Sequence, residues 1–249
     1  MPHKRRHSTA NCFLYLCETF SLFMNLLIVS ATYMEIAPLL AKLKFISEND
    51  HRMKFYSSGK NEIDVLITGV GMVATATWTA LSLSKKKYDA AINFGVCGSF
   101  DKSLEIGKVV NVLTDRIPEL GAEDDEKFLS IHEMNLLGEN EFPFMWGQLV
   151  NQSLPNYETI LKLTGVNGIS VNTAHGNISS IEKIVKRVNP HIESMEGAAF
   201  FYACMVEKIP CAQIRAVSNV IEKRNREHWN MALAIKNLNE VATDIINHI

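Results

Sequence analysis

The sequence lacks the marks of several protein classes. Its 25 Lys and Arg residues stand against 27 Asp and Glu, a formal net charge of −2, so there is no basic excess to hold nucleic acid or an anionic membrane. His175 has no second histidine at H-x-x-x-H or H-E-x-x-H spacing, so the sequence shows no recognisable metal-binding motif. After residue 24, no segment approaches the roughly 18 uninterrupted apolar residues of a membrane span. The class that remains is a globular protein acting on a small molecule.

Paired cysteines are also lacking. The five cysteines form an odd set without C-x-x-C spacing, which predicts free thiols in a reducing compartment and hence a cytoplasmic protein. The apolar run Cys12 to Phe23 follows Lys4-Arg5-Arg6-His7, but Glu18 interrupts it and no small-x-small cleavage site follows. We therefore expect residues 1–23 to be a disordered tail or the product of an upstream start codon, and residues 24–249 to form one domain.

A dinucleotide fingerprint is incomplete. Gly69 and Gly71 follow an apolar strand and precede a helical pattern, but Ala74 stands where the fingerprint needs a third glycine. We expect a tight strand-to-helix turn here, and the sequence predicts no cofactor.

Short apolar runs alternate with helical periodicity along the chain. Runs such as Leu26–Val29 and Ala90–Phe94 are typical of buried strands. Their alternation with helices predicts an α/β protein, a three-layer sandwich with a mixed central sheet flanked by helices. Residues 115–167 are less regular, and a loop of that length is typically a lid or a binding loop. Three aromatic residues there would either cover a substrate or bury a subunit interface: Phe142, Phe144 and Trp146.

Polar side chains follow three predicted strands. Glu35 and Glu196 each come where a strand gives way to a helix, and Arg215 lies in the strand that ends near Asn219. The carboxyl ends of strands are where open α/β sheets bind ligands. Each charged residue also has a structural alternative, because a carboxylate can cap a helix or pair with a surface lysine and an arginine can form an internal ion pair. Three such residues at three strand ends favour a site.

Four segments, in this order, resemble the nucleoside phosphorylase and nucleosidase superfamily: Ile28–Ala31 with Glu35, Ile92–Gly98, Ser194–Ala198 and Ile214–Ser218. The resemblance covers nearly everything from Met24 onward. Phosphorylases of this fold hold phosphate with a Gly-rich, Arg-bearing loop after the first strand, where this chain has Thr32-Tyr33-Met34-Glu35. A carboxylate there repels phosphate and suits water, so the chain looks like the hydrolytic branch of methylthioadenosine/S-adenosylhomocysteine nucleosidases and futalosine hydrolases.

The resemblance implies a role for each matching residue. Glu35 would activate the attacking water, Arg215 would help to place that water, and Glu196 would accept hydrogen bonds from the ribose hydroxyls. Adenine nucleosidases often carry serine at the position of Val96, so a hydroxyl contact from there is absent. The implied substrate-binding set is Met195, Val96, Gly98, Thr173, His175, Ser218 and Asn219.

Position 219 bears on the leaving base. Adenine nucleosidases carry aspartate where this chain has Asn219, and an adenine protonated at N7 presents two donors to that carboxylate. A hypoxanthine presents one donor and the O6 acceptor, which an amide satisfies with its C=O and NH2. The residue therefore favours a 6-oxopurine and futalosine hydrolysis, which releases hypoxanthine and dehypoxanthinylfutalosine in menaquinone biosynthesis. The alternatives are a methylthioadenosine/S-adenosylhomocysteine-type nucleosidase and a non-catalytic nucleoside-binding protein.

The far end of the substrate and the assembly are less specified. The aromatic carboxylate tail of futalosine needs a cation and an apolar wall, which His175, Arg224 or Arg226 could supply together with the aromatics at 142–146. Members of this fold assemble as dimers or larger rings, so we expect a homo-oligomer whose ligands are a nucleoside and water, with neither nucleic acid nor membrane as a partner.

Overall fold

The computed structural model describes residues 23–49 and 52–249. The predicted tail therefore lies outside the described residues except for Phe23. The strands are β1 Asn25–Ser30, β2 Lys44–Asn49, β3 Met53–Ser58, β4 Asn61–Ile67, β5 Ala90–Ser99, β6 Val109–Arg116, β7 Gly121–Asp124, β8 Lys127–Ser130, β9 Phe144–Met145, β10 Gln148–Val150, β11 Thr164–Ser170, β12 Ile192–Ser194 and β13 Cys211–Val220. The helices are α1 Tyr33–Leu40, α2 Met72–Lys85, α3 Glu158–Lys162, α4 Ile178–Val188, α5 Gly197–Glu207 and α6 Met231–Asn247, with a 3-10 turn at Arg226–His228.

The main sheet is mixed and partly closed. Its strand order is β2-β3-β4-β1-β5-β12-β11-β6-β10-β9, and β13 pairs with both β5 and β6. Strands β5, β12, β11, β6 and β13 therefore form a closed circuit of pairings. β1 runs parallel to β4 and β5, and β13 runs parallel to β5. The carboxyl ends of β1, β5 and β13 consequently meet at one edge.

Helices cover both faces of the sheet. The side chains of β1 alternate between two hydrophobic clusters, with Leu26 in one and Leu27 in the other, because successive residues of a strand point to opposite faces. Helices α1, α3 and α6 contribute to the first cluster, whereas α2 and α5 contribute to the second. The predicted three-layer α/β sandwich with a mixed central sheet is confirmed.

Two regions differ from the sequence-based expectation. β2 was not predicted; all six of its residues are exposed and it pairs only with β3, so it carries no apolar run of the buried type. Residues 115–167 are not one long loop, because they contain the β7–β8 hairpin, β9, β10 and α3. These elements are short and partly exposed, which explains why hydrophobic periodicity did not identify them.

Candidate active site

A cavity of about 540 Å3 opens at the carboxyl ends of β1, β5 and β13, next to the short strand β12, which runs antiparallel to β5. Ten site residues were predicted from the sequence. Eight of them line this cavity: Glu35, Val96, Gly98, His175, Met195, Glu196, Ser218 and Asn219. Arg215 is 1% exposed and lies beneath the lining, where its guanidinium is 3.7 Å from the Glu196 carboxylate. Thr173 is exposed and does not line the cavity; it lies in the turn that carries His175.

Glu35 caps its helix and also faces the cavity. Its Oε2 accepts hydrogen bonds from the backbone N–H and the hydroxyl of Thr32, both at 2.9 Å, as the third residue of a capping box on α1. Its Oε1 accepts one bond, from the Val96 N–H at 3.2 Å. A carboxylate oxygen has room for a second donor, so Oε1 can still accept a hydrogen bond from water. The structural alternative, a carboxylate that caps a helix, is realised, and the same side chain also lines the cavity.

Glu196 is held at the start of α5 with its carboxylate in the cavity. Its Oε1 accepts a hydrogen bond from the Gly71 N–H at 3.1 Å, and its Oε2 lies 3.7 Å from a guanidinium nitrogen of Arg215. Gly71 has a φ of 99°, which only glycine adopts easily, so the tight turn expected at Gly69–Gly71 serves to present this N–H. Burial raises the pKa of the Glu196 carboxyl above its ordinary value, while Arg215 and the Gly71 N–H oppose that rise and the charge of Glu35 adds to it.

The Arg215 guanidinium occupies the space that a side chain at position 95 would take, where this chain has glycine. A methyl group added to Gly95 would overlap its terminal nitrogen and would lie 3.2 Å from Glu35 Oε1. Arg215 donates to Asn93 Oδ1, and its Nε donates to Gln213 Oε1 at 3.1 Å. Gly98 lines the cavity, whereas Gly95 makes room for a buried cation.

A second buried carboxylate supports this cation from behind. Asp115 is completely buried, and its Oδ2 accepts hydrogen bonds from Gln213 Nε2 at 3.0 Å and from the Ser170 hydroxyl at 3.1 Å. Burial raises the pKa of Asp115 to about 6, and the bonds from Gln213 and the charge of Arg215 oppose that rise. Because the Gln213 amide donates to Asp115 and accepts from Arg215, its orientation is fixed. No local pattern in the sequence predicts this chain of contacts.

Asn219 stands at the other end of the cavity floor. Its Oδ1 accepts from the Ser218 hydroxyl at 2.8 Å, and its Nδ2 donates to the Val220 carbonyl oxygen at 3.1 Å. An amide has two N–H groups and two acceptor positions, so one of each remains for a ligand. A carboxylate here would place an oxygen without a proton against the Val220 carbonyl. The local backbone therefore suits asparagine.

His175 and Glu193 form a pair in the cavity wall. The Glu193 carboxylate accepts from the His175 backbone N–H at 2.9 Å and also contacts the ring Nδ1. Both side chains are nearly buried, 13% and 6% exposed. We did not predict Glu193, although it lies three residues before Glu196, because it looked like part of the strand rather than of the site.

The apolar wall differs from the one predicted. Trp229, Met231 and Ile235 line the cavity, and the Arg224 guanidinium lies 5.3 Å from the centre of the Trp229 ring. The aromatics at 142–146 do not line it: Phe142 and Trp146 are exposed, and Phe144 packs into a separate cavity. The suggestion that they cover this substrate site was wrong, because β9 and β10 carry them along the far side of β6. Arg226 is also outside the lining.

Several properties of the described chain bear on the other predictions. No helix among these residues is long and apolar enough to cross a membrane. Cys97, Cys204 and Cys211 are free and buried, as predicted for these three; Cys12 and Cys17 lie outside the described residues.

Comparison with known proteins gives concordant matches. The family model described as "Phosphorylase superfamily" matches residues 25–145. A 5′-methylthioadenosine/S-adenosylhomocysteine nucleosidase of Colwellia psychrerythraea is 26% identical over 210 residues, which is 80% of this chain and 84% of that protein. A crystal structure of such a nucleosidase from the same organism, in complex with adenine, aligns with a TM-score of 0.73 at 20% identity, covering 91% of this chain and 96% of that one. A futalosine hydrolase mutant of Helicobacter pylori aligns with a TM-score of 0.70 at 16% identity, covering 91% and 100%.

The structural matches are below 25% identity and show the fold, whereas the family model and the curated relatives show a similarity of sequence. The curated relatives support the nucleosidase alternative more directly than futalosine hydrolysis, which is the name of one of these structural neighbours. The prediction of an N-glycosyl hydrolase agrees with these relatives. The predicted resemblance to the nucleoside phosphorylase and nucleosidase superfamily is therefore supported by both kinds of comparison.

Proposed function

We propose that this protein hydrolyses the N-glycosidic bond of a purine nucleoside that carries a substituent on its 5′ carbon. One observation carries the proposal. Two carboxylates, Glu35 and Glu196, face one cavity around a buried guanidinium, and an amide stands at the far end of the same floor. Cleavage of a glycosidic bond passes through an oxocarbenium-like sugar and needs a base for water and negative charge near the ribose.

The two carboxylates divide these tasks. Glu35 keeps a free acceptor position on Oε1, which directs a water at the anomeric carbon and takes its proton. Glu196 accepts one backbone bond on Oε1 and a long contact from Arg215 on Oε2, so it has positions left for the ribose hydroxyls. Arg215 does not line the cavity. Its guanidinium contacts the Glu196 carboxylate and balances the negative charge of that group. Met195 packs against the sugar.

Two leaving bases remain as candidates. The curated relatives favour adenine, through a methylthioadenosine/S-adenosylhomocysteine-type nucleosidase, and this is the reading that the comparisons support better. Asn219 favours hypoxanthine, because its free N–H and its free acceptor position match O6 and N7–H of a 6-oxopurine. Arg224 stacked near Trp229 adds a cation and an aromatic face in the same cavity, as the carboxylated aromatic tail of futalosine requires.

One experiment discriminates these candidates. Purified protein is mixed, without phosphate, with futalosine, methylthioadenosine or S-adenosylhomocysteine, and free hypoxanthine and adenine are measured over time. Release of either base supports the proposed hydrolysis, and the ratio of kcat/KM values identifies the preferred base. Absence of both products, with all three substrates, would contradict the proposal.

The Asn219→Asp variant tests the base assignment. A carboxylate accepts two hydrogen bonds but donates none, so preference should move toward the 6-aminopurine substrates by on the order of tenfold or more. Asn140→Asp is the matched control, because it makes the same exchange at an exposed asparagine outside the cavity lining. An unchanged preference in Asn219→Asp would separate this residue from base selection.

A further inference from the structure

The proposed hydrolysis leaves one proton without a source. A purine departs much more readily once a ring nitrogen is protonated, and Asn219, which meets the base, has no proton to release at neutral pH. Glu35 and Glu196 serve the water and the sugar. Glu222 lies at the rim with its side chain 43% exposed and pairs outward with His228. Of the other ionisable residues described as lining the cavity, Arg224 keeps its proton, burial raises the pKa of the Cys97 thiol to about 12, and Glu193 is paired with His175. His175 is therefore the candidate that remains.

The sheet register places His175 on the base side of the cavity. Gly98 on β5 pairs with Glu193 on β12 and with Asn219 on β13. Glu193 and Asn219 therefore flank one glycine, with their backbones about 10 Å apart across two strand spacings. Gly98 lines the cavity, and the space that a side chain there would take is met by Ile221 Cγ1 at 2.8 Å and by Asn219 Nδ2 at 3.3 Å. A flat heterocycle packed on Ile221 in this cavity would therefore have Asn219 on one side and His175, held by Glu193, on the other.

The contact with Glu193 sets the state of the imidazole ring. Glu193 accepts from the His175 backbone N–H at 2.9 Å and meets Nδ1 with its other oxygen, so Nδ1 carries a proton toward the carboxylate. No described residue bonds to Nε2, which is left for a ligand. The edge of the Phe100 ring packs against the imidazole, with centroids 6.1 Å apart, and limits its rotation.

We propose that His175, oriented by Glu193, is the general acid that protonates the departing purine. In the step, the doubly protonated His175 ring keeps Nδ1–H on Glu193 and gives its Nε2–H proton to a ring nitrogen of the base, while the C1′–N9 bond breaks and its electron pair stays on the purine, which leaves the ring neutral. Water adds to C1′ and gives its proton to Glu35. The products are the free base and the free sugar, and solvent returns the proton from Glu35 to His175. This assignment rests on the proposed function.

The test compares leaving groups that need a proton with leaving groups that do not. Wild type, His175→Asn and Glu193→Gln are assayed with the best purine nucleoside from the substrate panel and with its 7-methylpurine and p-nitrophenyl counterparts, whose leaving groups depart without protonation. His175→Asn should lower kcat/KM for the purine nucleoside by about 100-fold or more and should change that for at least one of the other two by less than about threefold. Glu193→Gln should lower the purine rate on the order of tenfold, because a neutral amide orients the ring without stabilising its cation.

The controls separate this idea from the others. His248→Asn changes an exposed histidine at the end of α6 and should leave all rates unchanged, and thermal melts check that each variant is folded. Equal losses with every leaving group, or an undiminished purine rate in His175→Asn, would overturn the assignment. A wild-type protein that releases no base from any nucleoside would instead refute the proposed function.

Discussion

Asp115 gives a pH dependence of stability whose sign and size follow from its surroundings. Burial raises its pKa from 3.8 to about 6 in the folded protein. The folded state therefore holds the proton more tightly than the unfolded state, and the stability that this confers is complete below pH 3.8 and is lost as pH rises through 6. The difference of about 2.2 pKa units corresponds to about 3 kcal/mol, of which roughly 1.4 kcal/mol falls between pH 5 and pH 7.5.

The Asp115→Asn variant removes this dependence. Its amide oxygen can accept from Gln213, and its NH2 can donate to Ser170, so the local bonds are retained. The free energy of unfolding of both proteins is measured in urea at pH 5 and pH 7.5. Relative to wild type, the free energy of unfolding of the variant should increase by about 1.4 kcal/mol between these two pH values. Asp101→Asn is the control, because hydrogen bonds from Ser103 lower the pKa of that exposed carboxyl below 3.8, so its contribution to stability changes only at more acidic pH and this variant should stay parallel to wild type from pH 5 to pH 7.5. Parallel curves for wild type and Asp115→Asn would refute the reasoning.

Three further predictions concern the site and the chain start. Glu35→Gln and Glu196→Gln should each lower kcat by about two orders of magnitude or more in a base-release assay, roughly the contribution of a positioned acid or base; rates equal to wild type would remove these residues from the mechanism. Gly95→Ala should displace the Arg215 guanidinium and lower both activity and Tm, whereas Gly138→Ala, where a methyl group finds ordinary contact distances, should change neither. Removing residues 1–23 should leave kcat unchanged, and a loss of activity would contradict the prediction of a dispensable tail.

The sequence predicted those parts of the site that depend on local pattern. Glu35 and Asn219 lie at the carboxyl ends of β1 and β13, which both run parallel to β5, so these ends meet at one edge. Glu35 and Glu196 also lie at the start of the helix that follows their strand, which fixes these two side chains in space. Such residues can be found because a strand and its following turn are contiguous in the chain.

The remaining parts depend on pairings between distant segments. Glu193 reaches the site only because the three-residue β12 pairs antiparallel with β5, and so short a strand has no readable period. Asp115 contacts Gln213 across 98 positions. The register of β13 against β5 shifts between Val217 and Asn219, and such a bulge redirects the side chains that follow it. None of these features has a signal within one segment.

The two ends of the proposed site differ in charge, and this difference matches the charge separation that develops in glycosidic cleavage. At the sugar end, three buried carboxylates, Glu35, Glu196 and Asp115, surround the single cation Arg215, so that end is net negative wherever two or more of the acids are ionised. At the base end the floor offers the neutral Asn219 amide and the Nε2 of His175. Glycosidic cleavage moves positive charge onto the ribose and electron density onto the purine. A site that is negative beneath the sugar and donates hydrogen bonds to the base interacts more strongly with that charge separation than with the uncharged substrate, and this difference lowers the barrier.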